Sequence, residues 1–259
     1  MPEEGQLRLK TANYEVVFAA QTAWTIHDIY FRGESLSGPT GFYGTVLIPK
    51  GGKWIGTGHT EGGKEIVNSL KLTGDGQEKP IEAGATVEGH RIELVKTSTI
   101  HKFAATISIC VTDEEIVERA QLRATEDHEL ARMYLFMHCW PKETTKWIAE
   151  LADGKLSEGE FTSDGGNRVN ADAKWVAEYW PERKWGILCW MPKLITGPQS
   201  KSFIWDKDNY HKYYVQQNGG AAFNQGDELD YTIIVKVIPD ETGDWAATKA
   251  AVAELGRRH

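Results

Sequence analysis

The segment Trp54-Ile55-Gly56-Thr57-Gly58-His59-Thr60-Glu61-Gly62-Gly63-Lys64-Glu65 sets an imidazole and two carboxylates on a backbone loosened by four glycines. Glycine serves where the chain takes positive φ or admits another group closely. A polar site on a turn needs such freedom more than a packed strand does. His59 suits general acid–base work, because imidazole ordinarily titrates near neutrality. His59 and Glu65, with His138 brought up from elsewhere, form a donor set for a divalent cation, the one cofactor these residues suggest. The plain alternative is a turn with solvated carboxylates. Gly56-x-Gly58 is not read as a dinucleotide loop, since no βαβ unit follows it.

Two further clusters carry reactive side chains. In Met133–Pro141, strand parity puts Tyr134, Phe136, His138 and Trp140 on one face, and Met133, Leu135, Met137 and Cys139 on a core face. Pro141 stops pairing there, so His138 is expected where the strand opens onto a cleft, with Trp140 as a substrate contact. In Trp205–Tyr214, an Asp-Lys-Asp-Asn loop leads into Tyr210-His211-Lys212-Tyr213-Tyr214. Tyr210 and His211 offer a phenolic acid and an imidazole base, although parity sends them to opposite faces. Tyr214 and Trp54 are candidate substrate-binding residues. Arg168, in a glycine-loosened loop, suits a bidentate clamp on a carboxylate. Of the other histidines, His27 shares parity with Ile29 and Phe31 and reads as packed, His90 and His128 sit by turns, His101 begins a strand and His259 is terminal.

The elements that must position these residues are strands. Period-2 alternation predicts them over 14–19, 24–32, 43–48, 65–72, 90–96, 100–111, 116–124 and 129–140, then 174–180, 185–191, 201–205, 211–216 and 229–238. Turn signals such as Asp75-Gly76, Asp153-Gly154 and Gly219-Gly220 separate them. So many strands without helical periods between them predict an all-β fold, a large antiparallel β-sandwich in one domain over residues 1–259. One helix is expected over 244–256, capped by Asp244, with Trp245, Thr248, Val252 and Leu255 on one face. Pro181–Lys184 reads as a four-residue hairpin loop that pairs Trp180 with Trp185 and Trp175 with Trp190, one pair on each face. These pairs reinforce the ribbon or, alternatively, line a saccharide groove.

Composition narrows the partners. The chain has 259 residues, with ten Trp, nine Tyr and eight Phe, and tryptophan suits cores, interfaces and sugar-stacking platforms alike. A net charge of −8 argues against nucleic acid. It argues mildly against a polyanionic ligand, unless a local basic groove or a metal ion compensates. No apolar run nears the ~20 residues of a membrane span, so the chain reads as soluble and without a membrane partner. It begins Met-Pro-Glu-Glu, without the apolar stretch of a signal peptide. The compartment is therefore read as cytoplasmic, or as periplasmic or secreted if a signal was trimmed. Cys110, Cys139 and Cys189 lack disulfide or zinc spacing and read as buried thiols.

The order of many long strands, the His-bearing strand end at Tyr134–Trp140 and the aromatic loops resembles the galactose-mutarotase-like β-supersandwich over most of residues 7–240. Aldose 1-epimerases share that architecture with the sandwich domains of polysaccharide lyases and with accessory domains of glycoside hydrolases. Epimerases of this fold carry a His-x-Tyr-Phe element on the strand that here reads Phe136-Met137-His138-Cys139-Trp140. The resemblance implies an oligo- or polysaccharide partner. The leading expectation is a polysaccharide lyase. His59 or His138 would take the proton α to a uronate carboxylate, Tyr210 would protonate the leaving oxygen, and Arg168 or a metal would steady the intermediate. The alternatives are a sugar epimerase or metal-assisted glycoside-cleaving enzyme using the same histidines with Glu61 or Glu65 as base, and a non-catalytic carbohydrate-binding module.

Overall fold

A computed structural model describes residues 5–38, 44–56, 58–82, 84–195 and 200–258. The predicted strand start at Tyr43 and the terminal His259 lie outside these residues, as does Thr57 in the glycine-rich segment.

Among the described residues the strands form sheets of ten, six and five. Arg91–Ile100 shows why they form. Its alternate residues Ile92, Leu94, Lys96, Ser98 and Ile100 are all buried, while the intervening positions are not. One face of the pleat therefore meets the core and the other meets solvent. This strand lies in the ten-stranded sheet between Ile66–Gly74 and Phe103–Thr112, followed by Ile116–Ala124 and Glu228–Pro239. The six-stranded sheet runs Asn167–Ala171, Ser200–Asp206, Tyr210–Phe223, His128–Pro141, Val46–Pro49 and Ile55–Gly56. The five-stranded sheet centres on Tyr14–Ala19 and pairs its strands antiparallel, except for the parallel contact of Gln6–Lys10 with Ala85–Glu88. A shared apolar core from Leu7 to Val237 joins the three sheets. The result is the antiparallel β-sandwich expected from the strand pattern.

The Pro181–Lys184 hairpin has the expected register, with Trp180 opposite Trp185 and Trp175 opposite Trp190. Trp180 belongs to the main core, whereas Trp175 and Trp190 lie on the other face beneath Trp245 and Leu255. The helix Ala246–Arg258 covers that face, so this Trp pair is structural and lines no groove. Asp244 accepts a hydrogen bond from the Ala246 N–H at 2.9 Å. Thr248 and Leu255 are buried, and Gly256 does not end the helix, which continues through Arg258. No helix among the described residues is long and apolar enough to cross a membrane.

Three expectations need correction. Gly219-Gly220 lies within the strand Tyr210–Phe223 rather than in a turn. His27 is exposed because the Tyr14–Ala19 pairing shifts register between Val17 and Phe18, which turns it away from buried Ile26 and Ile29. A second irregularity, between Tyr134 and Phe136, splits the face expected to hold both. Phe136, His138 and Trp140 point into the sandwich, whereas Tyr134 joins Met137 on the outer side of the six-stranded sheet. A bulge adds a residue and flips the alternation after it.

Candidate functional site

The glycine-rich segment closes on itself as a compact turn. The His59 N–H donates to the Gly56 carbonyl at 2.6 Å, and the Gly62 N–H donates to the Trp54 carbonyl at 2.8 Å. Gly56 has φ +119, and a Cβ there would collide with the Thr45 carbonyl oxygen. Both facts demand glycine. Gly56→Ala is expected to cost about 1–3 kcal/mol of stability through backbone strain, read as a lowered urea midpoint; an unchanged midpoint contradicts this packing.

The turn forms one wall of a cleft of about 540 Å³, lined by Gln21, Thr22, Trp24, His59, Thr60, Lys64 and Glu65 among others. The opposite wall is the short 3-10 turn Ala20–Thr22 and the two residues after it. Ala23 and Trp24 have φ of 56° and 55°, left-handed values that non-glycine residues seldom adopt. A tether holds them there, because the Lys96 ammonium donates to the Ala23 carbonyl at 2.8 Å.

Lys96 also binds the cleft floor. Its Nζ lies 2.8 Å from Glu65 Oε1, and both side chains are only 3% exposed. Ser98 Oγ donates to the same oxygen at 2.6 Å, while buried Glu65 Oε2 has no protein hydrogen-bond partner. A buried carboxylate oxygen without a donor is costly. His59 stands in the same wall, 29% exposed, with Nδ1 3.4 Å from Glu61 Oε1. Glu61 is held below its usual carboxylate range by its own backbone N–H and by His59.

Behind the floor the polar chain continues into the sandwich. Lys96 and Glu118 line a small void with Trp24, and Glu118 Oε2 lies 4.0 Å from His138 Nε2. Burial pushes Glu118 up to about 7, with Lys96 opposing, and burial holds His138 well below the usual histidine value. The Glu118 proton is retained in the fold and lost from the unfolded chain as pH rises from the ordinary carboxylate range to about 7, so stability falls across that window. Glu118→Gln lacks this loss, and its stability relative to the parent should rise by about 2–3 kcal/mol between about pH 5 and pH 8. Urea unfolding at several pH values checks it; a constant difference contradicts it.

The structure gathers some predicted residues and separates others. His59 and Glu65 line the cleft, and Glu61 sits beside them on the turn against His59 without lining it. His138 does not line that cleft; it lies in the core, 2% exposed, stacked on Trp140 at 4.8 Å. The proposed metal set of His59, Glu65 and His138 is therefore not assembled. No cluster of three or more His, Cys, Asp or Glu placed to hold a metal occurs among the described residues. Trp140 is a core residue, not a surface contact. His211 is buried between the sheets, its Nδ1 2.7 Å from Thr144 Oγ1 and its Nε2 3.4 Å from Asp206 Oδ1. Arg168 is spent on Asp206 at 2.6 Å and Asp164 at 2.9 Å, so it clamps protein carboxylates rather than a substrate. Tyr210 packs against Gly38. Cys110, Cys139 and Cys189 are buried, and none forms a disulfide.

Trp54 and Tyr214 come together elsewhere, in a second groove of about 240 Å³ on the outer face of the six-stranded sheet. It is lined by Trp54, His59, Tyr134, Met137, Trp205, Lys212 and Tyr214, so His59 stands between the two openings. Sequence reasoning missed Trp24, Lys96 and Glu118. A parity signal existed for the last two, because each is a charge in register with apolar residues of its strand.

No protein-family model and no curated protein matches the sequence. Solved structures do match in fold. A candidate aldose 1-epimerase from Escherichia coli K12 aligns over 91% of this chain and 99% of its own, with TM-score 0.50 and 9% identity. A galactose mutarotase-like protein from Lactobacillus casei aligns over 90% and 100%, with TM-score 0.52 and 9% identity. An α-galactosidase from Lactobacillus brevis matches 91% of this chain with 40% of its own, at TM-score 0.57 and 10% identity. The fold is a galactose-mutarotase-like β-sandwich. At such identities the likeness defines the fold alone.

Proposed function

We propose that this chain is a carbohydrate-active protein that interconverts the anomers of an aldose, as a sugar 1-epimerase. The observation that carries the reading is the pairing of His59 with an under-bonded Glu65 carboxylate in the walls of one cleft, beside the Trp24 indole. Glu65 Oε1 is occupied by Lys96 and Ser98, which leaves Oε2 to accept the sugar's anomeric hydroxyl. Glu65 takes that proton while the His59 imidazolium gives one to the ring oxygen, and the C1–O5 bond breaks. After rotation about C1–C2 the open carbonyl is attacked from its other face. As C1–O5 reforms, Glu65 returns its proton to the anomeric oxygen and His59 recovers its own from the ring oxygen, so neither residue is consumed.

The fold supports this reading over β-elimination, since the residues assigned to a lyase do not meet. Arg168 is held by Asp164 and Asp206, and His138 is enclosed beside Glu118. The outer aromatic groove favours a second reading, a non-catalytic sugar-binding module. Polarimetry on freshly dissolved α-anomers of several aldoses tests the choice. Epimerisation requires a faster approach to the equilibrium rotation without new reducing ends. New reducing ends would indicate glycoside cleavage, and binding without rate change would indicate the module.

A further inference from the structure

The outer groove differs from the cleft in charge as well as position. Its walls are aromatic: Trp54 and Tyr134 lie nearly parallel, 13° apart with centroids 5.2 Å apart, and Tyr214 meets Tyr134 at 5.0 Å. Trp205 is anchored by its Nε1–H to the Gly165 carbonyl at 3.0 Å. Such surfaces suit the C–H faces of a sugar ring, and the volume suits one small ligand rather than a chain. The charged groups in this wall are basic. Half-buried Lys212 lines it together with His59, and Lys207 stands 4.3 Å from the Trp205 ring centroid. Arg132 donates to the Tyr134 hydroxyl at 3.3 Å. No carboxylate lines the groove among the described residues, and Glu61 lies 3.4 Å from His59 Nδ1. The chain as a whole carries −8, so a basic aromatic groove runs against its overall charge.

We infer that this groove is a binding site for an anionic monosaccharide unit, a sugar ring bearing a carboxylate or a phosphate, with Lys212 meeting the anion and Trp54, Tyr134 and Trp205 enclosing the ring. Burial in the groove wall holds the Lys212 ammonium below its usual value. The inference rests on the carbohydrate reading above and adds the charge of the ligand. His59 lies in both openings.

Calorimetric titration with glucuronate, galacturonate, glucose 6-phosphate, glucose, galactose and inorganic phosphate tests it. A charge-assisted hydrogen bond predicts roughly 10- to 100-fold tighter binding of an acidic sugar than of its neutral counterpart. Preference for the uronates or for the sugar phosphate identifies which anion the groove takes. Lys212→Met should abolish the preference and Lys212→Arg should retain it. Equal affinity for acidic and neutral sugars, equal affinity for inorganic phosphate and glucose 6-phosphate, or an unaffected preference in Lys212→Met overturns the inference. These outcomes leave the epimerase reading standing. Selective binding of acidic sugars without anomerisation of any sugar would instead remove the epimerase and keep the groove.

Discussion

Replacing Lys96 with methionine is expected to destabilise the fold by about 3–5 kcal/mol. The ammonium is buried to 3% exposure and compensates the equally buried Glu65 carboxylate at 2.8 Å. Removing it leaves that carboxylate in the sandwich interior with Ser98 as its remaining donor. An unpaired buried charge costs far more than the pair contributes when intact. The same substitution releases the Ala23 carbonyl and with it the left-handed pair Ala23 and Trp24. Urea denaturation measures the loss, and Lys96→Met combined with Glu65→Gln should recover a large part of it. A loss below about 1 kcal/mol in the single variant would mean that the pair is solvated rather than enclosed.

The second large effect concerns turnover. His59→Ala should lower kcat/KM for anomerisation by about 100- to 10,000-fold, the range ordinary for a positioned acid or base. His59 is partly exposed and lies on a turn whose backbone hydrogen bonds do not use its side chain, so the unfolding midpoint should stay within the small range of surface substitutions. That separation matters, because Glu65→Gln cannot give it: Glu65 also supports Lys96. A loss of activity accompanied by a matching loss of stability would make His59 a structural residue. Retained activity would move the acid–base pair elsewhere.

Much of this architecture was legible in residue alternation. The Trp175–Trp190 and Trp180–Trp185 pairs follow from a four-residue loop and the period of two, and the structure has that register. The same rule exposes Lys96 and Glu118. Lys96 falls in phase with Ile92, Leu94 and Ile100, and Glu118 with Ile116, Ala120 and Leu122, where only a buried, paired charge is tolerated. What alternation cannot carry is a register shift. One extra residue between Tyr134 and Phe136 moves Tyr134 to the outer groove and leaves His138 in the core. A similar shift opposite His27 turns that residue to solvent. Tertiary pairings were equally hidden. Nothing local to Arg168 announces Asp206, and nothing in the glycine-rich segment announces that Trp24, distant in sequence, forms part of its cleft.

Exchange spectroscopy between the α and β anomers of an aldose, with catalytic amounts of protein, tests the central claim most directly. The account predicts exchange faster than in protein-free buffer, returning to the protein-free rate when His59→Ala replaces the parent protein. Exchange at the protein-free rate for neutral and acidic sugars alike, or an enhancement that survives His59→Ala, would contradict it.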